Sequence, residues 1–302
     1  MLFLFSSRFS HAKKGSSLKK YMVRILKCLL AVVILLAVII FGLCAYAMHS
    51  SARAVPVLNY HQINDWAENP LTVHTDQFKE QMAYLKENGY HTITPDELLD
   101  AFQNGTELPE KPVVLTFDDG YQDNYENVYP LLQEYGFKGS IFVVSDFVSM
   151  YPNYLTWDEI AEMQKSGIID FESHTMTHPE LNRLNEEDRW HELKGSKDNL
   201  EKGIGKDINY IAYPCGSYDS ALEQMTKDAG YRAAFTVNYG LASPSENPFV
   251  LDRIPIFGCN RHTLLRFKLR LCYSPIFAPL AKVSKQLKES GHEKLASLIL
   301  IP

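Results

Sequence analysis

From residue 55 onward the chain alternates two kinds of segment. Short apolar runs rich in valine, isoleucine and aromatic residues fall at 55–60, 113–117, 139–144, 170–173, 210–213, 233–236 and 253–256. Unbroken runs of that length are how strands buried on both faces read, and they predict a parallel sheet. Between them, 76–88, 124–135, 156–166, 186–203 and 220–229 carry apolar residues at helical spacing. Several of these stretches run into glycine, at Gly89, Gly136, Gly167 and Gly230, the residue that most readily ends a helix in a left-handed conformation. Regular strand–helix alternation predicts an α/β domain, either a closed barrel or an open doubly wound sheet.

The N-terminal pattern is of another kind. Residues 28–47 read CLLAVVILLAVIIFGLCAYA, twenty residues without a charge, which as a helix match a hydrocarbon core of roughly 30 Å. Every basic residue of the first 47 (Arg8, Lys13, Lys14, Lys19, Lys20, Arg24 and Lys27) precedes that stretch, and no acidic residue accompanies them. Retention of positive charge inside then puts the N-terminus in the cytoplasm and residue 48 onward outside. Ala45, Tyr46 and Ala47 resemble a signal-peptide cleavage site, but the apolar stretch exceeds the usual signal core, so an uncleaved anchor is expected. Either reading exports the domain.

Charge sharpens the picture. The whole chain has 30 basic and 36 acidic residues, and removing residues 1–47 leaves 23 against 36. Such an acidic body repels phosphate backbones, which argues against nucleic acid and suits a neutral or cationic polymer. Residues 261–302 reverse the trend, with eight Lys or Arg against two Glu. They are expected to pack their apolar side on the body; the alternative is that they lie on anionic lipid beside the anchor. Of five cysteines, two are in the anchor, and Cys215, Cys259 and Cys272 form no disulfide framework or zinc-cysteine spacing.

Three motifs carry candidate chemistry, each directly after an expected strand. Thr116, Phe117, Asp118, Asp119 and Gly120 place two carboxylates before a turn. Adjacent carboxylates repel, so a cation at Asp119 leaves Asp118 as a free base beside it. His174 and His178, four apart, converge on one side of a helical turn and can share a cation with Asp119. One carboxylate and two imidazoles leave positions open for water and substrate, the catalytic arrangement. Tyr213, Pro214 and Cys215 form the third turn. The carboxyl ends of strands are where α/β barrels assemble their sites.

Across residues 55–257 these motifs resemble the polysaccharide deacetylase family with a NodB-homology domain. The resemblance implies a deformed (β/α)7 barrel behind one transmembrane helix, with Asp118 as catalytic base. It also implies Asp119, His174 and His178 as ligands of a divalent metal, commonly zinc, with cobalt or nickel as alternatives. Pro56 to His61 and Asp252 to Pro255 are similar to the branch that contains the biofilm poly-N-acetylglucosamine deacetylases, which makes His61 the general acid. Arg253 would orient or charge-balance Asp118. The backbone N–H at Cys215, with Tyr213 and Pro214 beside it, would hold the oxyanion. The chain departs from other branches in lacking an arginine before the third motif, in carrying Cys215 where an aromatic usually stands, and in showing His262 without its usual context. The implied reaction is metal-dependent N-deacetylation of an N-acetylglucosamine-containing polysaccharide outside the cytoplasm, releasing acetate. The alternatives are a non-catalytic carbohydrate-binding protein on the same fold, or a metal-dependent amidase acting on another amide. The expected map is a basic cytoplasmic tail over 1–24, an anchor over 25–47, a linker over 48–54, the catalytic domain over 55–260 and the basic amphipathic segment over 261–302.

Overall fold

A computed structural model of the protein describes residues 7–50, 53–258 and 264–302. Cys259, His262 and the domain boundary expected at 260 lie outside the described residues. The chain divides into two units, Met1–Ser50 and Ser51–Pro302. The described residues of the first unit form a single helix, α1 (Ser7–Ser50), which runs through the basic tail as well as the apolar stretch. Within it Tyr21–Tyr46, 26 residues, is long and apolar enough to cross a membrane.

The second unit begins with β1 (Val57–Tyr60), the two-residue strands β2 (Gln62–Ile63) and β3 (Thr72–Val73), α2 (Thr75–Glu87), β4 (His91–Thr92) and α3 (Pro95–Asn104). It continues with β5 (Pro112–Asp119), α4 (Tyr129–Tyr135), β6 (Gly139–Val143), α5 (Trp157–Ser166), β7 (Ile169–Ser173), α6 (Glu186–Ile204), β8 (Tyr210–Ala212), α7 (Ser220–Asp228), β9 (Ala233–Tyr239) and β10 (Leu251–Pro255). Three C-terminal helices follow, α8 (Leu264–Cys272), α9 (Ser274–Glu289) and α10 (Glu293–Ala296). All seven strands expected from the apolar runs form. They pair parallel in the order β5, β6, β7, β8, β9, β10, and β1 bonds to both β5 and β10, so the pairings close a ring.

Strand alternation then sorts the core. Val57, Val114, Phe142, Tyr210, Phe235 and Leu251 belong to one buried cluster, and their strand neighbours Leu58, Leu115, Ile141, Ile211, Ala234 and Ile254 to another that includes Phe78, Met82, Leu132 and Ile160 of helices α2, α4 and α5. Leu98 and Leu99 of α3 join the first cluster. The apolar runs did not single out α3, yet its start is written in the chain: Thr94 caps Glu97, Glu97 returns the bond to Thr94, and Pro95 opens the first turn.

The basic C-terminal segment packs on the body, as expected, through α8. Phe267, Arg270 and Leu271 are its buried positions. Arg270 reaches the Pro255 carbonyl and lies 5.0 Å from the Tyr239 ring centroid. Cys215 and Cys272 are free thiols.

Candidate active site

Asp118 and Asp119 end β5. Successive strand side chains normally point to opposite faces, so adjacent aspartates should diverge. Asp119 breaks that rule with φ 76°, and Gly120 continues at the same angle. Both carboxylates consequently line one cavity of about 240 Å³, together with Asn59, His61, His174, His178 and Cys215. A Cβ on Gly120 would sit 2.4 Å from Val143 Cγ1, so no larger residue fits this turn.

His174 follows β7, and the helical turn expected for 174–178 is absent. The segment is a loop in which Thr175 (φ 70°) and His178 (φ 63°) are left-handed. Its backbone is satisfied from outside instead. Glu192 of α6 accepts the N–H groups of Met176 (2.8 Å) and Thr177 (2.9 Å) and the Thr177 hydroxyl (2.5 Å), and Thr175 Oγ1 accepts the His178 N–H (3.1 Å). Those bonds replace the internal ones a helix would have made. Among the described residues six non-glycines have positive φ; four of them, Asp119, Thr175, His178 and Cys215, stand in the three motif loops, so backbone strain concentrates at the cavity.

The loop delivers both imidazoles to Asp119. Oδ1 lies 3.3 Å from His174 Nε2 and 3.3 Å from His178 Nε2, and one ligand atom from each of the three residues falls within 4.8 Å of the others. His174 Nδ1–H donates to the Ala212 carbonyl at 2.7 Å, which leaves the Nε2 lone pair facing the carboxylate. Asp119 Oδ1 is buried without a hydrogen-bond partner among the described residues. A buried acceptor oxygen facing two imidazole nitrogens fits a divalent cation with open coordination positions. Burial alone would raise the Asp119 carboxyl, but the two imidazoles outweigh it and hold the group well below the ordinary range.

Asp118 turns away from that cluster into the strand ring. Arg253 of β10 grips it with both fork nitrogens, Nη1 to Oδ1 at 2.8 Å and Nη2 to Oδ2 at 2.7 Å, and Asn59 Nδ2 donates to Oδ2 at 2.8 Å. The guanidinium is 0% exposed; it also donates from Nε to the Thr236 carbonyl (2.8 Å) and from Nη1 to Thr116 Oγ1 (3.2 Å), and it lies over the Phe142 ring. Burial pushes the Asp118 carboxyl up, yet the charges of Arg253 and His174 prevail and hold it below the usual value. Arg253 thus reaches Asp118 from β10 and not from the third motif.

His61 directly follows β1 and lines the cavity, with a buried Nδ1 that has no partner among the described residues. Burial lowers its pKa, against the opposing pull of Asp118 and Asp119. In the third motif the residues separate. Cys215, left-handed at φ 55°, lines the cavity. Tyr213 and Pro214 do not: both are buried, and Tyr213 packs outward, its ring 5.7 Å from that of Tyr218 and its hydroxyl donating to Thr226 Oγ1 at 3.1 Å. A larger cavity, about 470 Å³, is lined by Val55 and Pro112 at the opposite ends of β1 and β5, away from these groups.

Residues 105–234 match the family model for polysaccharide deacetylase. The "Putative polysaccharide deacetylase YxkH" of Bacillus subtilis (strain 168) is 34% identical over 202 residues, covering 67% of this chain and 71% of YxkH. The chain belongs to the polysaccharide deacetylase family. It is accordingly a deacetylase, a hydrolase of carbon–nitrogen amide bonds. The deacetylase PplD of Streptococcus pyogenes, solved in complex with acetate, shares 32% identity and a TM-score of 0.65, over 68% of this deacetylase and 92% of PplD. The poly-beta-1,6-N-acetyl-D-glucosamine N-deacetylase of Escherichia coli (strain K12) is 26% identical over 254 residues. The match takes in 70% of this chain but only 37% of that longer protein.

Two groups that hold the site were not singled out from the sequence. Asn59 sits inside the opening motif, where nothing local marks it as a partner of Asp118. Glu192 lies in a helix dense with charge and reads as part of a solvated face until tertiary structure turns it inward.

Proposed function

We propose that this deacetylase removes N-acetyl groups from an N-acetylglucosamine-containing polysaccharide outside the cytoplasm, with a divalent metal, zinc foremost, held by Asp119, His174 and His178. The supporting observation is the convergence of both imidazoles on one oxygen of Asp119 while Asp118 stays separate, held by Arg253 in the same cavity. Cobalt or nickel would suit the same donors. The closed pairing of seven strands supports the deformed barrel, whose carboxyl-end mouth carries the site. We read Tyr21–Tyr46 as the anchor, with the N-terminus inside and the body outside.

When bound, the metal would polarise the acetamide carbonyl and make water more acidic. Asp118, kept ionised by Arg253, takes the proton of the attacking water. The Cys215 backbone N–H donates to the developing oxyanion. His61, in its protonated form, then donates to the amine nitrogen, because an amide anion is too basic to leave unaided. Acetate and a free amino sugar result, and the new cation suits an acidic body.

The test is acetate release by the metal-loaded enzyme from β-1,6 and β-1,4 linked N-acetylglucosamine oligomers. Release that stops with a chelator and returns with zinc is the expected result; its absence from every oligomer rejects the substrate class. His174→Ala should lower bound metal in elemental analysis, and unchanged content removes it from the ligand set. Glu192→Gln should weaken metal affinity by about 10–100-fold, as loss of a supporting bond behind ligands does. Competition with a chromogenic chelator measures this, and equal affinity in the two proteins contradicts the role of the clamp.

A further inference from the structure

Residues 144–156, between β6 and α5, bridge the two halves of the site. At the start of this loop the N–H groups of Ser145 and Asp146 donate to the carbonyls of Thr175 and Met176 in the histidine loop, both at 3.1 Å. At its end Leu155 N–H donates to the Gly120 carbonyl (3.0 Å), Gln122 N–H donates to the Asn153 carbonyl (2.9 Å), and Tyr121 pairs with Tyr154 in an antiparallel bridge. The loop is therefore tied at both ends to the loops that carry Asp119 and His174.

Between these ties the loop presents a run of aromatic rings. Tyr121 and Tyr154 stack at 5.0 Å, Phe147 packs edge-on against Tyr154 at 4.9 Å, and Phe147 meets Tyr151 at 5.2 Å. Val144, Ser145, Val148 and Leu155 turn inward, whereas Tyr151 is 49% and Met150 68% exposed. The loop holds its own shape: Ser149 N–H bonds to the Leu155 carbonyl (2.9 Å), Tyr154 N–H to the Tyr151 carbonyl (3.1 Å) and Trp157 N–H to Ser149 Oγ (3.0 Å). Tyr151 is exposed and Tyr121, Phe147 and Tyr154 are half-buried behind it; a ring cluster that reaches the surface next to a catalytic loop, ordered in advance, marks a binding face. No step of the deacetylation uses them.

We propose that this face is a sugar platform, on which a pyranose beyond the immediate neighbour of the one being deacetylated lays its C–H face against Tyr151 and Tyr154. The inference rests on the polymer reading above. Sugar rings offer an apolar C–H face with hydroxyls at the rim, and tyrosine matches both, with an electron-rich face and a polar tip. Continuity with the cavity selects this occupant: Tyr121, the inner ring of the run, is two residues beyond Asp119, so a chain lying on the platform continues into the cavity mouth. A substrate of one or two sugars fills the cavity and reaches little of the platform; a longer one covers it.

The experiment compares acetate release from the N-acetylglucosamine dimer and hexamer by the metal-loaded full chain and by its Tyr151→Ala and Tyr151→Trp variants. Tyr151→Ala should raise KM for the hexamer by about tenfold, with kcat little changed and a smaller effect on the dimer. Tyr151→Trp, which keeps a stacking ring, should recover the hexamer KM. An effect equal for both oligomers, or none, overturns the platform while leaving the deacetylase reading intact. If the unaltered enzyme releases acetate from neither oligomer, the substrate class falls and the platform with it.

Discussion

Asp118→Asn should cut turnover by about 10²–10⁴-fold, the range for loss of a positioned general base, while metal content stays near that of the unaltered enzyme. The two halves of that expectation come from different distances. Asp118 makes its bonds to Arg253 and Asn59, and the group that could hold a metal ion comprises Asp119, His174 and His178 without it. An amide in its place keeps the shape but cannot take a proton from water. Single-turnover acetate release together with elemental analysis separates the outcomes. Full metal with lost turnover supports the base; retained turnover moves that role elsewhere; loss of both would mean that Asp118 also shapes the ligand cluster.

Arg253→Met carries the largest expected effect on stability, a loss of about 3–5 kcal/mol, because it strands the Asp118 carboxylate in a buried setting. Arg253 is 0% and Asp118 1% exposed on their side chains, so solvent screens little of the pair. The companion change Asp118→Leu should restore much of the stability in the double variant, since a buried ion pair replaced as a unit by apolar residues costs little. Urea unfolding of the single and double variants measures this. A single variant as stable as the parent would show that the ion pair does not hold the ring together. Activity should be lost in both variants, which distinguishes stability from catalysis.

Much of the architecture was readable beforehand because it depends on local patterns. The seven buried strands announce themselves through apolar runs, and helices α4 and α5 end at Gly136 and Gly167 in the left-handed conformation expected of them. The helix α3 was equally legible, through the cap made by Thr94, Pro95 and Glu97 and through its buried Leu98 and Leu99. Strands β2, β3 and β4, two residues each, are too short for any periodicity to show.

The site divides along the same line. Asp118, Asp119, His174, His178 and Cys215 lie in short contiguous motifs, so residue type and order alone nominate them. How they meet does not follow from spacing. The histidines converge through a loop with two left-handed residues, braced by a glutamate fourteen positions beyond His178, in place of a helical turn. Tyr213, nominated with its neighbours, faces the outer core because Ala212 already occupies the inner face and strand alternation allows no other direction.

What the sequence determined by itself is the set of elements and the identity of the reactive groups, since apolar periodicity, capping and adjacent polar residues are properties of neighbours in the chain. What only the tertiary structure decided is which charge answers which. Arg253 and Asp118 are 135 positions apart, and they meet only because ring closure brings β1 between β5 and β10 and turns both side chains into the same interior. A buried charge requires a partner, but nothing local says which distant residue the fold will bring to it.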